Sequence, residues 1–72
     1  MTDKEFLIVL GKRISAIRKS KGFTQLDIGA VINMECSTIS AIENGHQNPS
    51  SLTLKKFADA LDVSVLDFFY SS

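Results

Sequence analysis

The chain has one cysteine, one proline, one histidine and four glycines in 72 residues, and its longest apolar run is the five residues Phe6 to Leu10. Each scarcity excludes something. Cys36 alone forms no internal disulfide, and nothing near it has the paired Cys/His spacing of a zinc site, so a reducing cytoplasm is the expected compartment. Phe6 to Leu10 is far too short to cross a bilayer and follows Asp3 and Glu5 rather than a basic leader, so no membrane anchor or secretion signal is expected. One histidine, one cysteine and scattered carboxylates supply no nucleophile, base and orienter set and no glycine-rich phosphate loop. A chain this short also lacks room for a substrate cavity of the usual volume, so the sequence predicts no enzyme, metal, cofactor or small-molecule substrate.

Positive charge is unevenly placed along the chain. Residues 22–48 contain Asp27, Glu35 and Glu43 and no Lys or Arg. Residues 1–21 carry Lys4, Lys12, Arg13, Arg18, Lys19 and Lys21 against Asp3 and Glu5, a net of +4; the middle is −3 and the remainder −1.

What is present is a globular composition, 44% hydrophobic and 22% charged. A chain of this length buries only about 60% of its unfolded surface and cannot divide its core, so one domain over residues 1–72 is expected. Phe6, Leu10, Ile14 and Ile17 recur at helical spacing from Asp3 to about Lys21, where Gly22 supplies a left-handed stop. Thr24 and Asp27 form a capping box that opens a two-turn helix with apolar Ile28, Val31 and Ile32. Asn33 tolerates the positive φ of a tight turn. A third helix then carries Ile39 and Ile42 on one face and Ser37, Ser40, Ala41 and Asn44 on the other, ending at Asn44-Gly45. Ser50 or Ser51 opens a fourth helix with Leu54, Phe57, Ala58 and Leu61 buried, and Asp62 takes its C-terminal cap. Ser64 and Asp67 form a further capping box before a short fifth helix through Leu66, Phe68 and Phe69. No segment alternates with a strand's period of two, so the expected architecture is all-α: a compact five-helix bundle containing a helix-turn-helix.

These pieces fall in the order Ile14-x-x-Ile17-Arg18, Lys21-Gly22-Phe23-Thr24-Gln25, Ile39-Ser40-x-Ile42-Glu43-Asn44-Gly45, Asn48-Pro49-Ser50 and Phe57-Ala58-x-Ala60-Leu61-x-Val63. Over roughly residues 11–69 the chain resembles the Cro/repressor-type, or XRE-type, helix-turn-helix family. Among its members, small stand-alone regulators such as restriction-modification controller proteins are similar in length. The resemblance implies a lambda-repressor-like fold and double-stranded DNA as partner. It implies that Gln25 meets a phosphate, that Glu35, Cys36, Ser37, Thr38 and Ala41 face the major groove, and that Asn44 and the loop at His46 to Asn48 approach the backbone again. Arg18 and Glu43 match a pair that in the family joins helix one to the end of helix three. Gly29 stands where the family has alanine, where helix two crosses helix three; as a mid-helix glycine it is expected to cost roughly 1 kcal/mol against alanine.

Helix three offers no Arg, Lys, Asn or Gln before Asn44 to read base edges; its hydroxyls, with Ala41 and the Thr38 methyl, favour thymine contacts and shape readout. Few basic groups mean few released counterions, so one copy is expected to bind weakly and a homodimer to be required. The tail holds more apolar surface than one short helix buries, and Leu66, Phe68, Phe69 and Tyr70 are its candidate dimer contacts. Blander readings stand beside these. Cys36 can be core filler, the basic stretch of helix one a solvated face, and the Phe68-Phe69-Tyr70 cluster a lid on the monomer's own core. The zero net charge also admits a protein-interaction or antitoxin-like module that keeps the fold with little DNA affinity.

Overall fold

A computed structural model describes residues 1–70. Four α-helices, α1 (Asp3–Ser20), α2 (Gln25–Ile32), α3 (Cys36–Glu43) and α4 (Ser51–Leu61), precede a one-turn 3-10 helix at Val65–Phe68. No strand occurs among the described residues. The fifth element is thus a single tight turn rather than a full helix.

The helix limits follow from local chemistry. Thr24 accepts the Asp27 N–H while the Asp27 carboxylate accepts the Thr24 N–H, and Ser64 and Asp67 repeat the capping box at the 3-10 helix. Ser50 accepts from the Thr53 N–H at the start of α4. A third such box, Thr2 with Glu5, opens α1. Its Thr-x-x-Glu spacing is as plain in the sequence as the other two. Asn33 and Asp62 both take the left-handed conformation, at φ 57° and 56°, and let α2 and α4 stop in tight turns.

Ile14, Ile28, Ile39, Ile42, Phe57, Leu61 and Phe68 are almost wholly withdrawn from solvent, with Leu10, Leu54 and Ala58 beside them. Two expected positions differ. Val31 is 61% exposed. At 100° per residue the buried side of α2 runs from Ile28 to Gly29 with Ile32 between them, which leaves Val31 about 100° off that direction. Phe6 is 45% exposed, and its ring lies 6.3 Å from that of Phe69 at the edge of the core.

Glycines decide how closely α3 approaches its neighbours. A Cβ on Gly11 would stand 2.5 Å from the carbonyl oxygens of both Ile42 and Glu43, so α1 presses its bare backbone on the end of α3. At Gly29 the turn adds to the expected close approach of α3: a Cβ there would stand 3.3 Å from Ile39 Cδ1 of α3 and 2.4 Å from the Met34 carbonyl oxygen in the turn. Alanine at 29 gains helix propensity only by displacing that turn.

Candidate nucleic-acid interface

The candidate interface is α3 with the N-terminus of α2 and the loop after α3. Ile39 and Ile42 anchor α3 in the core and leave Ser37 and Asn44 exposed, with Cys36, Thr38, Ser40 and Ala41 half-buried along the rim. At its C-terminus the Gly45 N–H donates to the Ile42 carbonyl and the His46 N–H to the Ala41 carbonyl at 2.8 Å. That paired closure needs a left-handed residue, supplied by Gly45 at φ 75°. His46 is exposed after the helix, as is Asn44, whose Nδ2 donates to the Ser40 hydroxyl at 3.2 Å.

Behind this face lies a buried ionic network. Arg18 Nε donates to Glu43 Oε2 at 2.7 Å and Arg18 Nη2 to Glu43 Oε1 at 3.0 Å, with both side chains nearly sealed from water. The remaining arm, Nη1, donates to the Phe23 carbonyl at 2.7 Å. One guanidinium therefore ties together α1, the segment that leads into α2 and the end of α3. Burial works to raise the Glu43 pKa, but hydrogen bonds from Arg18 and Gln25, the Arg18 charge and the Ser15 hydroxyl outweigh it, and the net shift is downward. The Glu43 hydrogen bond raises the Arg18 pKa against the opposing effect of burial.

Gln25 takes part in the same network. Its Nε2 donates to Glu43 Oε1 at 3.1 Å, so the half-buried side chain is held by α3 rather than standing free at the head of α2. One amide hydrogen and the carbonyl oxygen remain for an outside partner.

Glu35 occupies the N-cap of α3 but makes no capping hydrogen bond; its carboxylate accepts from the Ser37 hydroxyl at 3.5 Å. The first amides of α3 are thus open to an anion while a carboxylate stands beside them. Asp27 at the head of α2 has its carboxyl held below the usual range by the Thr24 N–H and hydroxyl. Lys19 and Lys21, exposed near the end of α1, are the cations closest in sequence to α2.

The tail residues divide. Phe68 is fully buried against the core, which removes it from the candidate dimer contacts: the 3-10 turn points it inward to complete the packing of α1 and α4. Leu66, Phe69 and Tyr70 remain exposed at 59%, 38% and 71%. Arg13 Nη1 donates to the Phe69 carbonyl at 2.7 Å, a contact across 56 positions that no local pattern announces. Among the described residues no cluster of His, Cys, Asp or Glu could hold a metal, and no helix is long and apolar enough to cross a membrane.

Two short helices in the order of a helix-turn-helix, with the second presented outward and pinned from behind, match the HTH_3 helix-turn-helix family over residues 14–68. The chain belongs to that family. It is 36% identical over 56 residues to the uncharacterized HTH-type transcriptional regulator YazB of Bacillus subtilis (strain 168), covering 78% of this chain and 81% of YazB. It is 38% identical over 58 residues to the immunity repressor protein of Bacillus phage phi105, covering 81% of this chain but only 40% of that repressor. Among solved structures, the restriction-modification controller protein C.AhdI from Aeromonas hydrophila superposes with a TM-score of 0.87 at 28% identity, over 90% of this chain and 98% of that one. The wild-type controller protein C.Esp1396I gives 0.78 at 33% identity, over 88% and 82% of the two chains. The chain is accordingly a DNA-binding helix-turn-helix protein of the XRE type, in a family of transcriptional regulators rather than enzymes.

Proposed function

We propose that this HTH_3 chain acts as a homodimeric repressor or autoregulator that reads a two-fold symmetric DNA site through α3. The observation that carries the reading is the buried Arg18–Glu43–Gln25 network, which fixes the outward face of α3 relative to the head of α2. Ser37, Thr38 and Ala41 then face base edges, favouring T·A pairs through methyl contacts. Gln25, Asn44 and His46 meet phosphates, assisted by helix N-termini in place of lysine. Exposed Leu66, Phe69 and Tyr70 supply the dimer contact, which sets two α3 helices about one DNA turn, ~34 Å, apart.

The net −3 of residues 22–48, and the exposed Leu26 and Val31 on α2, favour a second reading in which the fold docks a protein and has little DNA affinity. Selection from a random duplex pool at low and physiological salt separates the two. A symmetric motif lost by a Ser37→Glu, Thr38→Glu double variant supports the dimeric reader. Invariant G·C pairs beneath α3 would sink the thymine preference, and no enrichment at either salt would favour the docking module.

A further inference from the structure

Phe69 and Tyr70, beyond the buried Phe68, have little local structure to hold them. Among the described residues, their backbone bonds reach back only to Leu66, from the N–H groups of Phe69 and Tyr70. Two distant ties fix this tail to α1: the Phe69 ring stacks on Phe6, and the Phe69 carbonyl accepts from Arg13 Nη1 at 2.7 Å. Phe6 and Arg13 are seven residues apart, two helical turns, and so project from one side of α1. Their effects differ. A ring contact tolerates rotation of the backbone beneath it, whereas a charged donor on a carbonyl fixes the direction of that peptide plane and hence the course of Tyr70. Beside this contact is a space of about 250 Å³ bordered by Met1, Phe6, Val9 and Phe69.

We propose that Arg13 is a positioning residue of the regulator: by holding the Phe69 carbonyl it sets the angle at which two copies meet and therefore the half-site spacing they accept. The inference rests on the homodimer reading above. Its reach follows from leverage. A rotation of about 10° at the tail, carried across a body 26 Å wide, displaces its far side by about 4.5 Å, more than the ~3.4 Å between base pairs. A loosened tail thus admits neighbouring spacings that the native tail rejects.

The test compares the full chain with Arg13→Gln, Arg13→Lys and Lys12→Gln. The last removes the same charge from the neighbouring, exposed position. Sedimentation gives the dimer constant, and symmetric duplexes built from the selected half-site, at the selected spacing and one or two base pairs either side, give spacing preference. Arg13→Gln is expected to weaken dimerisation and reduce spacing preference by about ten-fold each, as loss of a charge-assisted bond implies. Lys12→Gln should leave both within about two-fold while lowering affinity uniformly across spacings, and Arg13→Lys should recover part of the loss. Phe6→Leu, which removes only the stacked ring, should weaken dimerisation and keep spacing preference. Arg13→Gln indistinguishable from wild type, or matched by Lys12→Gln, overturns the role of Arg13 while leaving the dimer intact. A wild-type chain that stays monomeric with and without DNA overturns the dimer reading and this inference with it.

Discussion

Replacing Arg18 with Met tests whether the buried network is a source of stability or an orientation device. The substitution keeps roughly the length of the stem and removes three donated bonds, two to Glu43 and one to the Phe23 carbonyl. Glu43 would then be a carboxylate with a 5% exposed side chain and only neutral partners. Breaking one side of such a pair costs about 3–5 kcal/mol, because the remaining charge is left buried without compensation. A 72-residue fold has roughly 4–11 kcal/mol in total, so the loss is a large share of the whole. Urea denaturation should show the midpoint falling steeply with little change in slope. Adding Glu43→Met should recover most of the loss, since apolar replacement of a whole buried pair is close to neutral.

The pH dependence supplies an independent sign. In the wild type the Glu43 pKa is depressed, so its contribution is complete above the ordinary carboxylate value and is lost as pH falls through the folded value. In Arg18→Met burial acts without the ion pair, the folded pKa rises above the unfolded one, and the variant should gain stability as pH falls through that raised value. A loss under about 1 kcal/mol at neutral pH, with the same acid trend as wild type, would refute the claim that the pair is buried and mutually dependent.

Three further outcomes follow from the geometry. Glu35→Gln removes the carboxylate beside the open amides of α3, so DNA affinity at low salt should rise by about three- to ten-fold, measured by fluorescence anisotropy. Gly11→Ala drives a methyl to 2.5 Å from two carbonyl oxygens of α3 and should destabilise by about 1–3 kcal/mol in urea, despite alanine's better helix propensity. Phe69→Ser removes an exposed ring that contributes to the proposed dimer contact but not to the sealed core, so sizing should give the monomer mass with the helical content unchanged. An unchanged mass would place the interface elsewhere.

The helix limits were legible in the sequence because their signals act within four residues. Thr24 with Asp27, Ser64 with Asp67, Asn33 and Gly45 each perform a local task that the residue type itself specifies. The order of those signals also identified the family. Which side of α2 turns inward was not legible. Ile28, Val31 and Ile32 are equally apolar on paper, and only the crossing of α2 over its neighbours, with Gly29 against the Met34 carbonyl, leaves Val31 in solvent. The adjacent pair Phe68 and Phe69 shows the same division. A one-turn 3-10 helix sends one ring into the core and the other to the surface, and composition treats them alike.

What sequence alone determined, then, is whatever depends on neighbours along the chain: caps, turns, helical periods and the motif they compose. What the tertiary structure decided depends on partners distant in sequence: Arg18 on Glu43 across 25 positions, Gln25 turned from the solvent onto the same carboxylate, and Arg13 on the Phe69 carbonyl across 56. The physical reason is that a guanidinium or an amide satisfies its hydrogen bonds with whichever acceptor the packed backbone brings within 3 Å. That choice is made by the burial of Ile14, Phe57 and Phe68, not by the residues flanking the donor.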